Sequence, residues 1–281
     1  MKSIKAVTPA EAGVYVRRFA CWLAWIPAFA GMTVPVHAAS PSVFIEDLTW
    51  MEVQQRVKDG ATTVIVPTGG TGQEGPHMVT GKHDIVMRYA AGEIAKKLGN
   101  TLVAPVLPFV PEGRIYPPEG HMQFPGTMSL SGQTFAAVLE DVAASLKQHG
   151  FRRICFIGDH GGAQAIQQQV ADKLDDKWHG QGVEVMQVSN YYYKNGQEAW
   201  TDSMGIKVKS PAVHGGHIET SELMALSPTG VRDGLRAVRS ERDYKTTGAM
   251  GDSSQATAAY GKKYLALKIQ AAVKQIEHDG E

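Results

Sequence analysis

Apolar residues recur along the chain with two periods that alternate in order. Four short runs rich in β-branched residues have the length of buried strands; they lie at residues 62–66, 101–107, 153–157 and 183–188. Four longer segments place apolar residues three or four positions apart, which is typical of amphipathic helices; they lie at residues 84–98, 134–148, 163–178 and 254–278. Strands alternating with helices predict parallel βαβ units. We therefore expect an α/β fold with helices on both faces of one mostly parallel sheet.

One long segment interrupts this alternation. Residues 105–133 contain six prolines and four glycines, which excludes regular secondary structure over most of the segment. A loop of this length is uncommon in a compact α/β domain and is usually functional. It begins near the end of a predicted strand, at the edge where open parallel sheets bind their ligands. We predict that this loop forms a wall or lid of the functional site.

The amino end has the pattern of a secretory signal peptide. Arg17 and Arg18 precede an apolar run at residues 19–32, and the small residues around Ala38 resemble a signal-peptidase site. We predict that residues 1–38 are a signal peptide and that the mature protein is secreted or periplasmic. A misassigned start or a disordered leader is the alternative. Because no repeat or linker follows, residues 39–281 are predicted to form a single domain.

Charge and composition narrow the class of protein. The 28 basic residues balance the 28 acidic ones, and no run of like charge favours a nucleic acid or an anionic membrane surface as a partner. No apolar stretch reaches the roughly 20 residues that a transmembrane helix needs. Two cysteines cannot build a disulfide-stapled scaffold, and Cys155 lies in an apolar strand-like run, where it is expected to be a core residue. An enzyme that acts on a small molecule remains.

Histidines and carboxylates are concentrated in three segments, two of which directly follow predicted strands. The segments are residues 68–84, 158–162 and 213–221, and each contains glycines that let the backbone approach closely. We expect all three to converge on one edge of the sheet. Imidazole nitrogens and carboxylate oxygens together suit Zn, Mn or Fe. A phosphate cradle is the rival interpretation of the first segment, but its Gly-rich loop lacks the Gly-Lys-Ser/Thr ending of a P-loop and Glu74 would repel an anion.

Four motifs stand in the order and spacing of the creatininase (creatinine amidohydrolase) family, which the chain resembles from about residue 45 to beyond residue 227. They are QEGPH at 73–77, FPGTMSL at 124–130, DHGG at 159–162 and HGGHIETS at 214–221. The resemblance implies a three-layer α/β/α sandwich around a mostly parallel sheet. It also implies metal-dependent hydrolysis of a small amide, often a cyclic one such as creatinine, by a homo-oligomer that is often a hexamer.

The first motif departs from the family pattern. Members typically read Thr-Glu-Gln-His-Gly-Pro-His, with that Glu and the first His as metal ligands, whereas this chain has Gly72 and Glu74 at those positions. The ligand Asp of the family aligns with His83, and Asp84 follows one residue later. Residues that are two positions apart in an extended segment lie on the same face. We therefore hypothesise that Glu74 replaces the carboxylate absent at Gly72. With these residues one metal ion is easier to hold than two.

The resemblance implies a ligand set for one or two divalent ions per chain, Zn, Mn or Fe. The predicted ligands are Glu74, His83, His160 and Glu219. A divalent ion lowers the pKa of bound water from about 15.7 toward 7, which makes hydroxide available to attack an amide carbonyl.

His214 matches the histidine that the family uses for proton transfer. Asp159 and His217 are further catalytic candidates, because either could fix the tautomer of a liganding imidazole. His77 follows Pro76 in a tight turn and is assigned a structural role. Three further histidines are assigned to the solvated surface, namely His121, His149 and His179.

Two alternatives to an amidohydrolase stay open. Gly72 favours a non-catalytic descendant that binds a small molecule or a partner with the same loops after losing a ligand, whereas Glu74 favours the enzyme. A lactone or formamide hydrolase would share the chemistry of the site and differ only in its substrate.

Overall fold

The computed structural model describes residues 41–206 and 213–278, and the predicted signal peptide at residues 1–38 lies outside these ranges. All eight predicted strands and helices are present. The strands are β1 (Thr63–Thr68), β2 (Thr101–Val103), β3 (Arg153–Gly158) and β4 (Glu184–Gln187). The helices are α1 (Trp50–Lys58), α2 (Lys82–Leu98), α3 (Gly132–Gln148), α4 (Gln164–Trp178), α5 (Gln197–Ser203), α6 (His217–Leu226), α7 (Tyr244–Thr247) and α8 (Ala258–His278).

The four strands form one parallel sheet in the order β2-β1-β3-β4. Ile65 in β1 pairs with Val103 on one side and with Cys155 on the other, so β1 and β3 are the central strands. β2 is shorter than the predicted run at 101–107. Pro105 cannot donate a ladder hydrogen bond. Beyond it, Leu107 still donates its amide to the Pro67 carbonyl at 2.9 Å.

Alternate strand residues face two separate cores, which confirms the three-layer architecture. Val64 and Phe156 pack with residues of α3 and α4 on one face of the sheet. Ile65 and Cys155 pack with residues of α2 and α8 on the other face. Burial raises the pKa of the Cys155 thiol to about 12, so this side chain is an inert core residue, as predicted.

Helix α6 is an element that periodicity did not predict. It starts at His217, inside the fourth motif, and packs closely against α8. The contact depends on Gly261, since a Cβ there would lie 1.8 Å from the Ser221 carbonyl oxygen. This close approach carries Glu219, in the first turn of α6, to the edge of the sheet.

The proline-rich segment is a loop, as predicted, with one short 3-10 turn at Gly120–Gln123. It lies against the loop that follows β1. Gly69 and Thr71 donate their amides to the carbonyls of Leu107 and Pro108, and Met128 donates its amide back to Thr71. Of the helices that the structure describes, none combines the length and the apolar character needed to cross a membrane.

Candidate metal and catalytic site

The carboxyl ends of β1 and β3, the starts of α2 and α6 and the proline-rich loop bring titratable side chains together. Most of these side chains are buried, because helices and loops cover the edge of the sheet from both sides. The cluster consists of Glu74, Lys82, His83, Glu112, His121, Asp159, His160, His214 and Glu219.

His83 lies between two carboxylates. Its Nε2 is 2.9 Å from Glu74 Oε1 and its Nδ1 is 2.8 Å from Asp159 Oδ2. Burial and the neighbouring Lys82 charge lower its pKa, but Glu74 and Asp159 outweigh them and raise it to about 10. Both ring nitrogens of His83 therefore face carboxylate oxygens.

Lys82 places its ammonium group between Glu219 and Glu74, and Glu74 also faces His83. Its Nζ is 2.9 Å from Glu219 Oε1 and 3.2 Å from Glu74 Oε2, and the side chain is 1% exposed. Burial alone would lower the pKa of Lys82, but Glu219 and Glu74 raise it above its ordinary value. The contact with Glu74 is an ion pair without regular hydrogen-bond geometry.

Glu112, in the proline-rich loop, lies between two imidazoles. Its Oε2 is 2.9 Å from His121 Nδ1 and 2.9 Å from His160 Nε2. Its Oε1 is buried and has no hydrogen-bond partner among the described residues. Although burial alone would raise the pKa of Glu112, the two histidines lower it to about 2, so the carboxylate is ionised at neutral pH.

Glu112 and His121 lie outside the four sequence motifs and were not among the predicted site residues. The assignment of His121 to the solvated surface is wrong, because this side chain is mostly buried against Glu112 and the rings of His160 and His214. A signal was present, since His121 is the only histidine of the segment that we predicted to be functional. Lys82, just before His83, was likewise given no role.

His214 is held in one tautomer by Gln73. The Gln73 Oε1 accepts the Gly75 N–H at 3.0 Å, so its amide group donates to His214 Nε2 at 2.9 Å. The proton of the neutral ring is therefore on Nδ1, 3.9 Å from Glu74 Oε2 and 4.0 Å from Glu219 Oε2. Burial lowers the pKa of His214, which leaves an unprotonated Nε2 at neutral pH.

Asp159 anchors the opposite side of the cluster. Besides His83, it accepts from Lys268 Nζ at 2.6 Å and from the Tyr191 hydroxyl at 3.1 Å. Burial alone would raise the pKa of Asp159, but Lys268 and His83 hold it below its ordinary value. Asp159 thus positions the ring of His83.

Two other histidines of the motifs lie outside this cluster. His217 is fully buried beside the rings of Tyr260 and Tyr264, at centroid distances of 5.3 and 5.9 Å. His77 is also buried, with its Nε2 2.9 Å from the Thr220 hydroxyl. Among the described residues, neither His77 nor His217 forms a hydrogen bond or an ion pair with a carboxylate of the cluster.

Among the residues that the structure describes, two groups of ligand-type atoms are close enough together to hold an ion, with all atoms of a group within 4.8 Å of one another. One is Glu112, His121 and His160, and the other is Glu74, His214 and Glu219. The structure divides the predicted ligands, with His160 in the first group, Glu74 and Glu219 in the second, and His83 in neither. The groups are adjacent, since the His121 and His214 rings are 4.5 Å apart.

A polar cavity of about 450 Å³ opens beside the second group. Its walls include Lys82 and Glu219 at the cluster, and Tyr192, Asn195 and Lys268 farther out. This volume is within the range of small-molecule sites, roughly 300 to 1,000 Å³.

Comparison with known proteins decides the family. A model of the creatininase family, described as creatinine amidohydrolase, matches residues 46–276. The chain belongs to the creatininase family. This family member is 32% identical over 121 residues to the creatinine amidohydrolase of Pseudomonas putida, covering 43% of this chain and 46% of that protein.

Two further relatives are named as hydrolases of other substrates. Identity is 26% over 192 residues to 3-dehydro-scyllo-inosose hydrolase of Thermotoga maritima, covering 66% of this chain and 57% of that protein. Identity is 25% over 240 residues to the mycofactocin precursor peptide peptidase of Mycolicibacterium smegmatis, covering 76% of this chain and 84% of that protein. This creatininase family member spans about half the length of the first two relatives.

Solved structures share the fold of this creatininase family member. The crystal structure of creatinine amidohydrolase matches it with a TM-score of 0.71 at 23% identity, covering 85% of this chain and 98% of that chain. Other solved creatininases are described as a Zn-Zn type of a mutant and as a manganese form.

Proposed function

We propose that this protein is a metal-dependent hydrolase of a C–N amide bond in a small molecule, with a divalent ion held by Glu112, His121 and His160. The observation that carries the proposal is the Glu112 carboxylate. One of its oxygens is shared by two imidazoles, and the other is buried without a partner in the described part of the chain. A buried ionised carboxylate requires a compensating cation or hydrogen bonds, and no ammonium or guanidinium group is paired with Glu112 there.

The donor set fits a divalent transition metal. Two imidazoles with one carboxylate are a recurrent ligand set for Zn, Mn and Fe, and the Zn-Zn and manganese descriptions of related creatininases support the first two. A divalent ion bound there would supply Lewis-acid activation of water and of an amide carbonyl.

His160 needs one rearrangement to serve as a ligand through Nε2. Its Nδ1 accepts the Gly162 N–H at 3.1 Å, so the proton of the neutral ring lies on Nε2, facing Glu112. The neutral ring can offer the Nε2 lone pair only after the proton moves to Nδ1, which ends the Gly162 contact. Binding of a divalent ion through this nitrogen would therefore require proton movement at His160.

His214 is the proton-transfer residue of this proposal. Its unprotonated Nε2 takes a proton from the attacking water in exchange for the Gln73 amide hydrogen bond. The imidazolium that forms is stabilised by Glu74 and Glu219, which lie 3.9 and 4.0 Å from Nδ1. The same nitrogen can then return the proton to the leaving amine.

The substrate class follows from the names of the relatives and from the cavity. Amidohydrolase and peptidase both name hydrolysis of a C–N bond. The cavity of about 450 Å³ is large enough for a small molecule, and it adjoins Lys82 and Glu219 rather than Glu112. Creatinine and other cyclic amides are the first substrates to test. The predicted homo-oligomer and the predicted export stay predictions, since neither a partner chain nor the leader is described.

The test is hydrolysis by the purified protein after loading with Zn²⁺ or Mn²⁺, on cyclic amides, short peptides, formamides and lactones. We expect turnover of an amide, and its loss on removal of the metal with a chelator and in the variant Glu112→Gln. Turnover of lactones alone would assign the site to ester chemistry. Metal binding without turnover of any substrate would favour the non-catalytic descendant.

A further inference from the structure

We propose that Lys82 is a built-in cation that takes the place of a metal ion between Glu74 and Glu219, so that the chain binds a divalent ion at Glu112, His121 and His160 but none at Glu74, His214 and Glu219. The inference rests on the proposed function only for the ion at Glu112. For the second group it rests on the position of one ammonium group.

Each carboxylate oxygen of the second group lies close to a donor group, although neither oxygen of Glu74 makes a regular hydrogen bond in the described part of the chain. Glu219 Oε1 faces Lys82 Nζ at 2.9 Å, and Glu219 Oε2 accepts the Gly215 N–H at 2.8 Å. Glu74 Oε1 faces His83 Nε2 at 2.9 Å, and Glu74 Oε2 faces Lys82 Nζ at 3.2 Å. An ion that entered this group would have to displace Lys82 from both carboxylates.

The first group contrasts with this arrangement. Among the described residues Glu112 has two imidazoles beside it and no ammonium group, whereas Glu74 and Glu219 share the ammonium group of Lys82. The second group therefore has an ammonium group between its carboxylates, whereas no described lysine takes that place in the first group.

Lys82 cannot leave the second group easily. Its side chain is 1% exposed, and moving the ammonium into an apolar part of the interior would leave a charge without a partner. An ion placed beside it would meet a like charge at short range in a poorly screened site. Both effects oppose metal binding to Glu74 and Glu219.

The experiment measures metal content rather than activity. Full-length protein is loaded with excess Zn²⁺, freed of unbound metal by gel filtration and measured by elemental analysis. We expect about one ion per chain in the wild type, in Glu219→Gln and in Glu74→Gln, and close to none in Glu112→Gln. Lys82→Met should gain a second ion, which the double variant Lys82→Met with Glu219→Gln should lose again.

Lys268→Met is the matched control. Lys268 is another buried lysine between two carboxylates, 2.6 Å from Asp159 Oδ1 and 3.3 Å from Glu222 Oε2, but it lies outside both ligand groups. Its replacement should leave the metal content unchanged. A second ion gained by Lys268→Met as well would show that loss of any buried ammonium creates a site, and would overturn the specific role of Lys82.

Other outcomes separate this inference from the proposed function. Two ions in the wild type, loss of its one ion in Glu219→Gln, or a folded Lys82→Met protein that still binds one ion would each overturn the inference. If Lys82→Met does not fold, the wild type and Glu219→Gln decide the question. A wild type that binds no metal contradicts the proposed function, and a metal ion gained by Lys82→Met and removed by Glu219→Gln would still support the role of Lys82.

Discussion

A Cβ atom at Gly72 would lie 2.9 Å from the carboxyl carbon of Glu112. The Glu112 carboxylate therefore fills the space that a side chain at position 72 would occupy. The family has a ligand carboxylate at this position of the first motif, and here a carboxylate reaches the same space from the proline-rich loop. We hypothesised from the sequence that Glu74, two residues along the chain, replaces the carboxylate absent at Gly72. In the structure Glu74 faces Lys82 and His83, and it is Glu112 that lies at the position of a Gly72 side chain.

Gly72→Ala should displace Glu112 and weaken metal binding. The contact is shorter than normal packing allows, so the Glu112 carboxylate, at the end of a flexible side chain, must leave its position beside His121 and His160. We expect roughly 10- to 100-fold weaker metal affinity and a loss of only about 1 kcal/mol in the free energy of unfolding. Calorimetric titration with Zn²⁺ measures the first and chemical denaturation the second.

The control for that variant is Gly234→Ala, because no heavy atom lies within 4 Å of a Cβ at Gly234. Its metal affinity should equal that of the wild type. Equal affinity in Gly72→Ala would show that the position of Glu112 does not matter for the ion.

His214→Gln should reduce turnover without removing the metal. His214 belongs to the group with Glu74 and Glu219, so the ion at Glu112 should remain while proton transfer is lost. We expect kcat to fall by about 10² to 10⁴-fold at unchanged metal content, measured by steady-state kinetics and elemental analysis. If the metal is lost together with activity, His214 acts as a ligand.

Protonation of His77 should lower the free energy of unfolding as the pH falls from about 6.5 to about 4. Burial and the nearby Arg239 charge lower the pKa of His77 to about 4, whereas the unfolded chain binds this proton near pH 6.5. Between these values the unfolded state holds more protons, so stability is lost toward acid, by about 3 kcal/mol at most.

The variant His77→Gln isolates this contribution from that of the other histidines. The free energy of unfolding should be measured by urea denaturation at several pH values between 4 and 7.5. The difference between wild type and variant should shrink toward pH 4, because only the wild type loses the contribution of His77. A difference that is independent of pH would exclude a depressed pKa for this residue.

Asp159→Asn should strongly destabilise the fold. The substitution leaves Lys268 and His83 facing an amide in a buried site, and breaking a buried ion pair from one side costs about 3–5 kcal/mol. The melting temperature, followed by circular dichroism, should fall by roughly 10 °C. Glu140→Gln, which breaks the exposed pair with Lys173, should cost no more than about 1 kcal/mol.

Apolar spacing along the chain predicted the strands and helices that bury one face against the sheet or the core. The four strands and four helices were identified from apolar spacing, because a buried face imposes its period on neighbouring residues. Helix α6 was missed because it is buried on several sides, including the His217 and Glu222 positions, and so shows little amphipathic periodicity. The family could be identified because its four motifs are short and contiguous.

By itself, the sequence determined the three-layer fold, the edge of the sheet where the chemistry is concentrated, and the family. The tertiary structure alone decided which carboxylate meets which cation. Glu112 is 40 positions from Gly72, and Glu219 is 137 positions from Lys82, so no local spacing records either contact. A buried charge is paired with whatever group the closed fold brings within about 3–4 Å, and that choice is made only when distant segments pack together.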